Sequence, residues 1–149
     1  MNKPGFQPSL KGRALRLLSQ REHSRTELER KLAQHEEVPG ELAKALDELQ
    51  ARDFINDGRA VDSVVNRRSG KLGSARIKQE LAAKGLSGEA VAEAMANLKD
   101  SELSRAQEVW RKKFGTAPQE PQEKAKQMRF LLSRGFPSEV VRRIVPDID

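Results

Sequence analysis

Apolar residues recur along this chain at spacings of three and four, the period of amphipathic helices, and no stretch alternates as a strand would. Ala14, Leu15 and Leu18 begin the first such stripe, and Arg21-Glu22-His23 is a polar connector. Ser24-Arg25-Thr26-Glu27 has capping-box spacing, with Leu28 and Leu32 as the stripe that follows. After a break over 36–40, Leu42, Leu46 and Leu49 mark a third helix. Phe54 and Ile55 are apolar anchors, and Asn56 or Asp57 can cap a helix carrying Val61, Val64 and Val65. Helices over 74–84 and 88–99 meet at Lys84-Gly85-Leu86, where glycine stops the first helix and Ser87 is placed to cap the second. Asp100-Ser101 predicts the start of a seventh helix through Leu103, Ala106, Val109, Trp110 and Phe114. Gly115 and a Pro-bearing loop end it. A helix over 123–134 with Met128, Leu131 and Leu132 inward follows, then a last one carrying Val140, Val141, Ile144 and Val145. The predicted fold is all-α.

These helices group into threes. Leu32, Leu81 and Leu131 lie forty-nine and fifty residues apart, and each is followed ten residues later by Leu42, Val91 or Val141. Lys84-Gly85-Leu86 corresponds in kind to Arg134-Gly135-Phe136. The first unit has His35-Glu36-Glu37-Val38 there, so its helix end must be built differently. A period near fifty with three helices per unit indicates a helical repeat. The expected division is a disordered N-terminus at 1–9, three-helix repeats at 10–53, 54–99 and 100–149, and a Pro-containing loop at 115–122.

Composition narrows the function. The 149 residues contain no Cys, which excludes a disulfide framework, a thiolate metal site and a Cys nucleophile. No Gly-rich phosphate loop occurs, and the two histidines, His23 and His35, are expected as surface imidazoles rather than ligands. Glu36-Glu37 reads as a solvated turn, since adjacent helical residues do not face each other. The expectation is a binding protein, not an enzyme, with no cofactor and no metal. No apolar run has membrane-span length, and residues 1–9 lack a secretion signal's apolar region, so a cytoplasmic monomer is expected.

Charge supplies the candidate surface. The net charge is +6 and rises along the chain, from +1 in the first third to +2 and +3. An acidic partner follows from that balance. Between Asp62 and Glu80 there is no acid, but there are Arg67, Arg68, Lys71, Arg76 and Lys78. Arg111, Lys112 and Lys113 form a second acid-free cluster, and Lys124, Lys126, Arg129 and Arg134 a third. These twelve cations are the candidates for phosphate or acidic-surface contact. Phe54, Phe114, Phe130 and Phe136 read as core, while Trp110 is left open between core and contact. With no Tyr and few aromatics to stack bases, strand contact should be mostly to phosphate and salt-dependent.

Several stretches, in order, resemble the RecX family of RecA regulators. They are Leu17-Leu18…Arg21…Ser24…Glu27-Leu28…Leu32, then Phe54-Ile55-Asn56-Asp57-Gly58-Arg59. Gly73…Arg76-Ile77-Lys78-Gln79-Glu80-Leu81…Lys84-Gly85-Leu86 and Arg129-Phe130-Leu131-Leu132…Arg134-Gly135-Phe136 complete the set. Ala60 departs from the family, whose members usually have an aromatic residue there. The resemblance implies three tandem three-helix repeats in an elongated, curved array. It further implies binding along RecA–single-stranded DNA filaments, with suppression of filament extension, ATP hydrolysis, strand exchange and RecA-assisted repressor cleavage in the SOS response. Two rivals remain at this level. One is a helix-turn-helix transcriptional regulator reading DNA through the 74–84 helix with Arg76, Lys78 and Gln79; the other is a helical adaptor without a nucleic-acid partner.

Overall fold

A computed structural model describes residues 7–148, and among these it contains eight α-helices, one 3-10 turn and no strand. The helices are α1 (Leu10–Gln20), α2 (Arg25–Leu32), α3 (Glu41–Ala51), α4 (Asp57–Arg68), α5 (Ser74–Ala83), α6 (Glu89–Lys113), α7 (Pro121–Ser133) and α8 (Ser138–Ile144). The disorder expected for residues 1–9 falls mainly on residues outside the described part. Ser9, inside it, caps α1 by accepting the Gly12 N–H at 2.9 Å.

Three separate apolar cores sit along the chain. The first is built on Leu28, Leu32, Leu42, Leu46 and Leu49. The second is built on Val61, Val64, Ile77, Leu81 and Leu98, and the third on Ala106, Leu131, Phe136, Val141 and Ile144. Each core is enclosed by two helices and a third element, and α6 serves both the second and third.

That sharing corrects the sequence reading. Asp100-Ser101 does not cap a new helix, because α6 runs unbroken for 25 residues. No Gly or Pro occurs between Gly88 and Gly115 to stop it, and its buried positions Leu98, Glu102, Ala106 and Val109 form one continuous stripe. Ser87 likewise does not cap α6; Gly88 takes that position without a side-chain bond. Buried Glu102 accepts the Ser74 N–H at 3.1 Å and the Ser74 hydroxyl at 2.9 Å, closing the N-terminus of α5 from outside. Arg105, one turn on, donates to the carbonyls of Ser69 and Leu72 at 3.0 and 2.8 Å and to Glu102 at 2.9 Å. The middle of α6 is therefore a polar hub for the α4–α5 turn.

The helix stops follow the predicted chemistry. At Gly85 and Gly135 (φ 72° and 96°) the next residue's N–H returns to Leu81 or Leu131, and Leu86 and Phe136 pack beneath. The first repeat lacks that glycine and ends in a 3-10 turn, Ala33–His35. Glu36 is no idle turn residue: its carboxylate accepts the Leu42 N–H at 2.8 Å in the first turn of α3.

The middle helices of the three units meet end to end. At the C-terminus of α7, the carbonyls of Ser133, Arg134 and Gly135 accept the Arg76 guanidinium, the Gly73 N–H and the Ala75 N–H at 2.7, 2.7 and 3.2 Å. At the C-terminus of α5, the carbonyls of Ala83 and Lys84 accept Arg30 and the Ser24 hydroxyl at 2.5 and 2.6 Å. The amide end of α5 thus faces the carbonyl end of α7, while the carbonyl end of α5 is met by two side chains, one from the cap and one from the last turn of α2. The fit is close: a Cβ on Gly85 would lie 2.1 Å from the Thr26 hydroxyl oxygen. These two joints fix the path of the array.

The α5–α2 joint also holds a carboxylate with a lowered pKa, Glu27, 3.9 Å from Lys84. Burial raises the Glu27 pKa, but the Arg21 hydrogen bond, the Ser24 N–H and the charges of Lys84 and Arg21 outweigh it and lower the group from 4.5 to about 2. The depressed folded-state pKa means stability is fully present above about 4.5 and declines as pH falls toward 2. Thermal unfolding between pH 5 and 2.5 should show this decline, and Glu27→Gln should flatten it; an equally steep profile in the variant would remove Glu27 as the cause.

Candidate nucleoprotein interface

The twelve candidate cations divide sharply once placed in space. Arg67 and Arg68 sit at the end of α4 and both reach Glu80 on α5, at 2.9 and 2.8 Å, where Lys84 joins them at 3.2 Å. The interval that is acid-free in sequence is therefore closed by an acid in three dimensions. Burial raises the Glu80 pKa, yet hydrogen bonds from Lys84, Arg67 and Arg68 hold it lowered, so the carboxylate stays charged. Three cations on one carboxylate still leave that corner positive. Arg76 is engaged by the Ser133 carbonyl, Arg111 pairs with Glu108 at 2.6 Å, and Lys124 pairs with Asp147 at 2.6 Å. Lys78, Lys126 and Arg129 point outward from α5 and α7, exposed and separate.

The remaining members converge. Lys71 from the α4–α5 turn, Lys112 and Lys113 from the end of α6, and Arg134 from the end of α7 line one open cleft of about 280 Å³. Phe130, Val109 and Gly70 form the rest of its wall. One residue from the first sequence cluster, two from the second and one from the third thus meet, although up to sixty-three positions separate them. Phe130 organises the cleft: the Arg134 guanidinium lies 4.5 Å from its ring centre and the Lys113 ammonium 5.3 Å, while Phe114 packs edge-on at 5.5 Å. Among the described residues no carboxylate lies within 4.0 Å of Lys71, Lys113 or Arg134, and Lys112 has only Glu108, at 3.9 Å. A concave surface lined by one sign of charge concentrates field and attracts anions. The aromatic floor adds a flat apolar surface.

Other candidates move elsewhere. Trp110 turns inward, its indole N–H donating to buried Gln127 at 2.8 Å. Phe54, expected as core, is 43% exposed with Arg52 above its ring, and Leu132 is 44% exposed because adjacent Leu131 takes the core direction. His23 is not a surface imidazole: it is 1% exposed, with Nδ1 3.0 Å from the Arg21 carbonyl and Nε2 3.0 Å from the Lys31 ammonium. Among the described residues no group of three or more His, Asp or Glu could hold a metal ion, and no helix is long and apolar enough to cross a membrane.

Family models described as the first, second and third three-helix domains of RecX match residues 11–49, 56–95 and 100–145. The chain belongs to the RecX family. A regulatory protein RecX from Leptothrix cholodnii is 51% identical over 144 residues, covering 97% of this chain and 90% of the relative. Another from Ralstonia nicotianae is 46% identical over 141 residues, with 95% and 89% coverage. The crystal structure of RecX from Lactobacillus salivarius superimposes with a TM-score of 0.68 at 22% identity, covering 91% of each chain. A second RecX crystal structure gives 0.76 at 21% identity, covering 91% of this chain and 70% of that one. At those identities the solved structures speak for the fold, which is the RecX architecture of three-helix units in tandem. The high-identity relatives speak for a regulatory protein.

Proposed function

We propose that this chain is a modulator of the RecA recombinase that binds along RecA–single-stranded DNA filaments and restrains their extension. ATP hydrolysis, strand exchange and RecA-assisted repressor cleavage fall as a consequence. The observation that carries the reading is the cleft of Lys71, Lys112, Lys113 and Arg134, where cations from all three sequence clusters meet and, among the described residues, only Lys112 has a carboxylate within 4.0 Å, Glu108 at 3.9 Å. A filament groove offers DNA phosphates beside protein surface, and an array of units can engage several of its subunits through weak contacts acting together. The protein acts by binding in the cytoplasm, as a monomer, without cofactor, metal or membrane attachment.

The helix-turn-helix alternative is less well supported. Such readers present the N-terminal residues of a recognition helix to base edges. In α5 that end is covered by the C-terminus of α7, with Arg76 bonded to the Ser133 carbonyl. In α2 the same end meets the C-terminus of α5. Gel shifts on duplex DNA, on single-stranded DNA and on preformed RecA filaments separate the readings. Binding should be strongest on the filament and indifferent to base sequence; a sequence-specific duplex shift without RecA would favour the alternative.

A further inference from the structure

The first unit has a cationic cleft of its own that none of the sequence clusters contains. Arg13, Arg16, Leu17 and Gln20 follow one another at spacings of three, one and three on α1, so they share a face. That face meets Lys31, Leu32 and His35 on α2 and its 3-10 end, enclosing an open cleft of about 250 Å³. Arg13 is half-buried, while Arg16 and Lys31 are exposed. Among the described residues none of these three cations has a carboxylate within 4.0 Å, unlike Arg67, Arg68, Arg111 and Lys124.

Lys31 is also held in place. The imidazole of His23 is buried, and its Nδ1 lies 3.0 Å from the Arg21 carbonyl, which can only accept. The ring proton therefore sits on Nδ1, and the Nε2 lone pair accepts the Lys31 ammonium at 3.0 Å. A buried neutral imidazole that fixes a solvent-facing ammonium without neutralising it leaves the charge available to a ligand. Three converging donors with an apolar floor of Leu17 and Leu32 match a phosphate ester attached to a flat, partly apolar group.

We propose that this α1–α2 cleft is a second phosphate site, which takes a phosphodiester of a single-stranded nucleic acid. Contact with the strand then begins in the first unit rather than only between the second and third. The proposal rests on the strand-binding part of the reading above.

The test uses the full chain and a fluorescein-labelled oligothymidine at several salt concentrations. The variant Arg13→Gln/Arg16→Gln/Lys31→Gln removes three charges but keeps an N–H donor at each position, Lys31 beside His23 included, and far-UV circular dichroism checks its helices. Affinity at low salt should fall about tenfold, and the salt slope should become shallower by about two, near 0.7 per lost phosphate contact. Unchanged affinity and slope would overturn the proposal. A second readout follows backbone amides of α1 and α2 by NMR as unlabelled oligothymidine or ATP is added. Saturation by the oligonucleotide supports a strand phosphodiester; saturation by ATP alone overturns that assignment. The filament reading fails separately. It falls if RecA turnover is untouched by the wild-type chain, whatever the oligonucleotide shows, whereas this cleft falls if only the Lys71, Lys113 and Arg134 surface governs strand affinity.

Discussion

Replacing Gly73 by alanine should destabilise the protein by about 3 kcal/mol, near the upper end of overpacking penalties. Its backbone is ordinary, with φ −80°, so the requirement for glycine is steric rather than conformational. A Cβ there would lie 2.3 Å from the carbonyl carbon of Gly135 and 2.4 Å from its oxygen. Both are backbone atoms of the α7 stop, so no flexible side chain can move aside. Moving α7 away would also lengthen the 2.7 Å bond from the Gly73 N–H to the Arg134 carbonyl and disturb the Arg76–Ser133 contact. Gly70→Ala, three residues earlier, meets nothing within 4 Å and is the control, expected within about 0.5 kcal/mol of wild type. Urea unfolding gives the difference, and hydrogen exchange should show protection lost first in α7 and α8. Equal midpoints for the two variants would mean that the joint between the second and third units is not tightly packed.

The largest functional loss should come from reversing the central cleft. Lys71→Glu/Lys113→Glu/Arg134→Glu changes local charge by six units at three cations that have no carboxylate within 4.0 Å among the described residues. Affinity for RecA filaments should drop on the order of 100-fold at physiological salt, because lost phosphate contacts become repulsions. Arg111→Gln/Lys124→Gln removes two cations already paired with Glu108 and Asp147, and should cost less than about threefold. Filament co-sedimentation measures both, with circular dichroism verifying helix content. Similar losses for the two variants would show that total charge, rather than this cleft, sets affinity.

Much of this architecture was legible in local sequence. Helix stops at Gly85 and Gly135, the Ser24–Glu27 capping box and the near-fifty spacing of Leu32, Leu81 and Leu131 are local or periodic signals, and the structure carries each. Asp100-Ser101 offers capping residues but no helix breaker, so the break predicted there does not form. Ser101 instead donates to the Leu98 carbonyl at 3.2 Å inside α6. The roles of buried Glu102 and half-buried Arg105 leave no local signal, because their partners, Ser74, Ser69 and Leu72, lie about thirty residues away. His23 was misplaced for the same reason, since its burial depends on how the α1–α2 connector folds inward.

The candidate surface was half legible. Acid-free intervals found the right neighbourhood for Lys71, Lys113 and Arg134, but sequence intervals cannot show that Glu80 turns back onto Arg67 and Arg68. Arg13 and Arg16 of the α1–α2 cleft do stand in an acid-free stretch, 1–21, but no interval joins them to Lys31, which follows Glu22, Glu27 and Glu29, acids absent from the cleft wall. Glu27, for example, turns toward Arg21 and Lys84.

The most direct measurement is RecA ATP turnover on single-stranded DNA while this protein is titrated in, from substoichiometric amounts to one per RecA subunit. Turnover should fall steeply with added wild-type protein and stay near its starting value with the Lys71, Lys113 and Arg134 reversal. Turnover that is unchanged by stoichiometric wild-type protein would contradict the account.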